Sequence, residues 1–140
     1  MILTLLTFSG MAYGEEQTTD SDIIEMIEVE VELTNERIEY YIDEHVDYSE
    51  YVIASYNNEI EFINEHYSNE MKQSMIYNAT EEKDYLINQI INSLISVTNA
   101  EAERMFKRAE SVGVIVVCEY TVVIIDNKEV LIDPIRVVGG

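Results

Sequence analysis

Ile27-Glu28-Val29-Glu30-Val31-Glu32-Leu33 is the stretch on which the fold turns. Its apolar residues alternate with glutamates, the period-two pattern of a half-buried strand. The same residues also fit a helix. Ile24, Ile27, Val31, Thr34, Ile38, Tyr41, His45, Tyr48 and Val52 follow at steps of three and four, and this heptad-like seam runs through the stretch without interruption. A strand would leave Thr34 or Asn35 to cap a helix starting near Glu36. The unbroken seam favours helix.

Downstream the seam slips by one residue and resumes at Tyr56, Ile60, Ile63, Tyr67 and Met71, a drift a straight helix tolerates. From Ser21 to Val112 there is neither glycine nor proline, the residues that punctuate loops. A second helix is expected over Glu81–Val97. Thr80 or Asn78 would cap it, and Leu86, Ile87, Ile90, Ile91, Leu94 and Ile95 would form its apolar stripe. Thr98 with Glu101 spells a capping box for a third helix, whose apolar face is Ala102, Met105, Phe106 and Ala109 and whose stop is Gly113.

Beyond Gly113 the pattern changes. Val114–Ile125 is rich in β-branched residues, Asp126–Lys128 reads as a tight turn, and Val130–Ile132 returns, with Pro134 ending the second strand or sitting at an edge. The expected fold is mainly α (α+β): a long helical hairpin or small helical bundle over residues 22–112, with a coiled-coil-like seam, and a C-terminal β-hairpin over 113–138. A lone two-stranded hairpin is marginal in water, so this one must pack on the helices or pair with another chain. Residues 139–140 read as a tail.

The 140-residue chain carries 28 Asp and Glu against 8 Lys and Arg, a net charge of −20. Between Glu15 and Glu70 there are 18 acidic residues and one basic residue, Arg37. Such a field repels nucleic acid and anionic membrane surfaces, and attracts cations and basic proteins.

At the N-terminus Ile2, Leu3, Leu5, Leu6 and Phe8 form a short apolar run. Ala12 and Gly14 place small residues at the −3 and −1 positions of a cleavage site. Residues 1–14 therefore read as a signal peptide cleaved after Gly14, its missing basic segment pointing to a start upstream of Met1. Residues 15–21 read as a flexible acidic segment. The mature protein would be secreted or held in the cell envelope. No apolar run approaches the roughly 20 residues that span a bilayer. Cys118 is the single cysteine, which excludes an intramolecular disulfide and a cysteine-built metal site.

Few features suggest chemistry. On a continuous helix Glu25, Glu28, Glu32, Glu36, Glu39, Asp43, Asp47 and Glu50 would form one acidic ridge, a surface for divalent cations or a basic partner, or simply a solvated face. Calcium binding would be diffuse, because the glycine-bearing loop of a dedicated site is missing. The only histidines close two similar segments, Tyr41–His45 and Phe62–His66, 21 residues apart, with no Glu-x-x-His pair. They read as seam residues rather than ligands. Eight tyrosines lie between Tyr40 and Tyr85, and Tyr41, Tyr48, Tyr51, Tyr56 and Tyr67 are the expected interface. Cys118 would share a strand face with Val114, Val116, Tyr120, Val122 and Ile124 as a buried thiol. Asn78-Ala79-Thr80 fits a glycosylation acceptor, which matters only in a eukaryotic secretory pathway.

No hydrolase, phosphate-loop, zinc or dinucleotide motif is present, and no cofactor or enzymatic activity is expected. The leading expectation is an exported structural or interaction protein that forms homo-oligomers. Two alternatives are an intracellular acidic decoy of nucleic acid that binds a basic protein, should residues 1–14 not be a signal, and diffuse divalent-cation binding.

Overall fold

The computed structural model describes residues 20–132 and 134–139. Two long helices, α1 (Asp20–His66) and α2 (Asn69–Glu110), are followed by four short strands: β1 (Ile115–Cys118), β2 (Thr121–Ile125), β3 (Lys128–Ile132) and β4 (Ile135–Gly139). The chain is thus mainly helical, a helical hairpin with an appended β region. The signal-peptide reading of residues 1–14, and residues 15–19 and 140, lie outside the described residues. Asp20 and Ser21, expected in a flexible segment, belong to the first turn of α1.

The ambiguous stretch is helix. Ile27 is 0 % exposed and Val31 6 %, whereas Val29 is 51 % and Leu33 50 % exposed. A strand would have buried all four on one face. Helical spacing buries alternate members of the apolar set instead, because residues four apart share a face. At 47 residues, α1 is about 70 Å long.

The helices turn back through Tyr67 and Ser68. Tyr67 N–H still reaches the Ile63 carbonyl (3.2 Å), while the Ser68 carbonyl accepts from Met71 and Lys72, both at 3.0 Å. Ser68 N-caps α2 in an extended conformation but makes no side-chain cap bond. Partners across the hairpin recede evenly: Tyr56 with Thr80, His45 with Ser93, Arg37 with Glu101, Glu30 with Arg108.

Two expected helix boundaries do not exist. Thr80 lies inside α2, donating to the Ile76 carbonyl at 2.8 Å. Thr98 is also internal and buried, and donates to the Leu94 carbonyl at 2.8 Å. The Glu101 side chain does not fold back to cap. It reaches Arg37 and Arg104. Threonine can satisfy its hydroxyl within a helix as well as at its start, and nothing between Val97 and Ala102 forces the backbone to stop. The true stop is as expected. Gly113, at φ +77°, turns the chain so that Val114 N–H reaches the Ala109 carbonyl at 3.0 Å.

The seam also departs from expectation at one turn. Tyr48 is 52 % exposed, and Ser49, at 2 %, takes its place and donates to the Val46 carbonyl. Met71, placed on the seam by sequence, lies beyond the turn and is exposed.

The β region is a ribbon in two sections. β2 pairs with β3 around Asp126-Asn127, both at positive φ (48° and 61°), the geometry of a two-residue primed turn. β1 pairs antiparallel with β4, so Gly139 is part of a strand and not a tail. Between the sections Glu119 N–H donates to the Pro134 carbonyl at 2.8 Å. The interruption changes which face is buried. Val114 and Val116 are buried before it, Val123 and Ile125 after it. The single strand face expected from Val114 to Ile124 is therefore divided, as a one-residue offset in a period-two element requires.

The β1–β4 section packs near the open end of the hairpin and the β2–β3 section against its middle. Val123, Ile125, Val130 and Ile132 close over Ile38, Val52, Ile87, Ile90 and Leu94. Val114, Val116 and Ile135 pack with Ile27, Val31, Ala102, Met105 and Ala109. Asn35 fastens α1 to β4, its amide accepting from Ile135 N–H and donating to Ile135 C=O, each at 2.8 Å. The turn end of the hairpin has no sheet over it.

Candidate functional site

Three exposed surfaces bear on function: the acidic ridge, a tyrosine-lined cleft, and the outer face of β2–β3. The ridge depends on the continuity of α1. Glu25, Glu28, Glu32, Glu36, Glu39, Asp43, Asp47 and Glu50 are all exposed on that one helix. Among the described residues none of the eight enters an ion pair.

The basic residues explain why. Arg37, the only cation near the ridge in sequence, turns to Glu101 (3.0 Å) and the Thr34 hydroxyl. Glu101 is buried and shared with Arg104 at 3.1 Å. Arg108 grips Glu30 through both Nε and Nη2, at 3.0 and 3.1 Å, and this pairing holds the guanidinium above its ordinary pKa. Lys128 reaches Asn88, Arg136 reaches Glu119, Lys107 reaches Glu103 and Lys72 reaches the Asn64 carbonyl. With Lys83, all 8 basic side chains are engaged within the chain. The ridge carboxylates are left to solvent, salt or a partner.

The cleft lies toward the turn end of the hairpin. Tyr48, Tyr51, Val52, Ser55, Tyr56 and Glu59 of α1 face Ala79, Glu82, Lys83 and Leu86 of α2 across about 130 Å³ of open space. The Tyr48 and Tyr51 rings are nearly parallel, 11° apart in plane and 6.4 Å between centroids. Tyr56 is half-buried, its hydroxyl 3.0 Å from Thr80 Oγ1. Lys83 Nζ sits 5.2 Å from the centre of the Tyr56 ring. The same ammonium is 3.0 Å from Asp126 Oδ2 and 3.2 Å from Asp84 Oδ1. The Asp126 hydrogen bond raises the Lys83 pKa, partly opposed by burial and assisted by Asp84.

Of the tyrosines expected at an interface, Tyr48, Tyr51 and Tyr56 meet in this cleft. Tyr41 is half-buried against the core, with Tyr40 edge-on at 5.9 Å. Tyr67 is half-buried at the turn, edge-on to Phe62 at 6.1 Å. Phe62, Tyr77 and Tyr85 are also exposed.

The histidines are not brought together. Their 21-residue separation on one helix is about 31 Å. Each Nδ1 donates to the carbonyl four residues earlier, His45 to Tyr41 (2.7 Å) and His66 to Phe62 (3.0 Å). The carbonyls can only accept, so each Nδ1 carries a proton. Among the described residues, no group of three or more His, Cys, Asp or Glu is placed to hold a metal ion. Cys118 is half-buried and forms no disulfide.

The outer face of β2–β3 was not separated from the strand pattern by sequence. Val122 pairs with Leu131 and Ile124 with Glu129, which puts Val122, Ile124 and Leu131 on one side beside the exposed Glu129. They are 52, 55 and 58 % exposed. The signal was an unbroken β-branched run. A strand with one solvated face alternates, whereas continuous apolar residues imply cover on both faces.

Among the described residues no helix is long and apolar enough to cross a membrane. Comparison with protein-family models, curated proteins and solved structures finds no match. Function is therefore read from the chain's own geometry.

Proposed function

We propose that the chain is an exported interaction protein that pairs with a second copy of itself through the outer face of β2–β3. The observation that carries this reading is the apolar patch of Val122, Ile124 and Leu131 on the far side of the hairpin from its own core. A patch of contiguous exposed apolar side chains is a mark of a contact surface.

Charge selects the same region for self-association. Residues 113–139 hold four acidic and two basic side chains, while the remainder carries nearly all of the −20. Two copies meeting at their helices would set carboxylate ridges against each other. Two copies meeting at β2–β3 keep the ridges apart, and exposed charges more than about 8 Å apart are largely screened in physiological salt. The symmetric match of one patch to itself is the commonest oligomer geometry.

Light scattering across a concentration series tests this. The wild type is expected to reach dimer mass by about 100 µM, sooner at higher salt because residual repulsion is screened. Ile124→Thr/Leu131→Thr keeps strand-forming residues and net charge, and is expected to remain monomeric. A wild-type monomer throughout, or a variant that dimerises equally well, rules the interface out. Export is tested separately by intact mass, which should show a chain beginning at Glu15 outside the cytoplasm.

A further inference from the structure

We infer that the cleft between α1 and α2 binds an arginine side chain presented by a basic protein segment, the guanidinium lying against Tyr48 and Tyr51 with Glu59 and Glu82 at its rim. This goes beyond self-association: it concerns another surface and another partner.

The cleft already holds a cation of the chain's own. Lys83 lies 5.2 Å from the Tyr56 ring centre, with Asp126 and Asp84 as counter-ions. An aromatic face beside carboxylates is thus arranged within the cleft to hold an ammonium group. Toward the open end of the hairpin, among the described residues, no lysine or arginine lies over the rings of Tyr48 and Tyr51. Tyr48 and Tyr51 present nearly parallel rings. Glu59 and Glu82 line the same space, and among the described residues neither enters an ion pair.

The chain supplies no second cation to the cleft, since the other seven lysines and arginines are engaged outside it. Lys83 does not close the cleft to a second cation, because Asp126 and Asp84 neutralise it. The net charge of −20 draws basic chains toward this surface. Arginine suits the site better than lysine. Its guanidinium is planar, stacks on aromatic faces and is more weakly hydrated, while lysine remains a strongly hydrated point charge.

Any polycation will be attracted to so acidic a protein, so the test must separate the cleft from diffuse attraction. Acetylated, amidated hexa-arginine and hexa-lysine are titrated calorimetrically into the full chain at physiological salt. Hexa-arginine is expected to bind more tightly. Tyr48→Leu/Tyr51→Leu leaves the charge unchanged and should weaken hexa-arginine about tenfold, from two lost cation–π contacts. Glu59→Gln/Glu82→Gln should weaken it similarly with the rings in place. Glu25→Gln/Glu28→Gln removes the same charge at a distance and should change affinity less than about twofold. Ile124→Thr/Leu131→Thr should bind as the wild type does, whether or not the dimer forms. Equal loss in the remote and cleft glutamate variants, unchanged binding by the tyrosine variant, or no preference for arginine would each overturn the assignment.

Discussion

Lys83 shows how a single side chain ties the three parts of this fold together. It leaves α2, lies over Tyr56 of α1, and hydrogen-bonds Asp126 at the tip of the β2–β3 turn. Its pKa is raised mainly by that hydrogen bond. A raised pKa means the folded state holds the proton more tightly than the unfolded state. The resulting stabilisation is complete below the ordinary lysine value of 10.5 and is lost as pH climbs through the higher folded value. Lys83→Met, which keeps the stem but not the charge, is expected to lower stability by about 1 kcal/mol at neutral pH. Denaturation of both proteins at a series of alkaline pH values should show the gap closing as pH climbs above 10.5. A gap that stays constant would mean that the lost stability does not come from the lysine's charge. Sequence could not single out Lys83, because a lysine among acidic residues has many partners in principle. Its partner Asp126 is 43 residues away. Glu101 was misread for a related reason: the spacing from Thr98 fits a capping box, but a cross-helix arginine, Arg37, competes for the carboxylate.

At the scale of elements, the features that repeat were readable and the features that break were not. The apolar seam over Ile24–Val52 marks α1 correctly against a perfect period-two rival, because a helix needs only one residue in three or four to be apolar. The tight turn expected over Asp126–Lys128 was equally readable from its residue types, and in the structure it is Asp126-Asn127, with Lys128 already in β3. Boundaries were harder. The real break at Ser68 carries no glycine or proline and no side-chain cap bond, whereas Thr80 and Thr98 look like caps and are internal. The interruption between Cys118 and Thr121 has no residue signature either, and it decides which side of the ribbon faces water. The turn supplies the element-scale prediction. Asn127 holds φ +61°, a conformation asparagine tolerates better than residues without a short polar side chain. Asn127→Ala should cost about 1 kcal/mol, and Asn127→Gly should match or exceed the wild type. Thermal melting of the two variants checks this. Equal stability in both would mean that the turn relaxes to another geometry.

At the scale of the whole molecule, charge and apolar surface are separated. The helices carry the acidic ridge and the tyrosine cleft, and the β region carries an outer face of three apolar side chains beside one glutamate. Composition announced the charge at once, but only the fold shows that every basic side chain is spent internally. The candidate interface tyrosines were partly legible: three of them, Tyr48, Tyr51 and Tyr56, gather in one cleft, while Tyr41 and Tyr67 lie elsewhere. The outer β face was hidden, because it depends on the phase shift between β1 and β2. The most direct measurement is an isotope-filtered nuclear Overhauser experiment on a concentrated equal mixture of labelled and unlabelled chains. It reports only contacts between copies. The proposed pairing predicts intermolecular signals among the methyl groups of Val122, Ile124 and Leu131. Their absence in that sample, or intermolecular signals confined to the helical tyrosines, would contradict it.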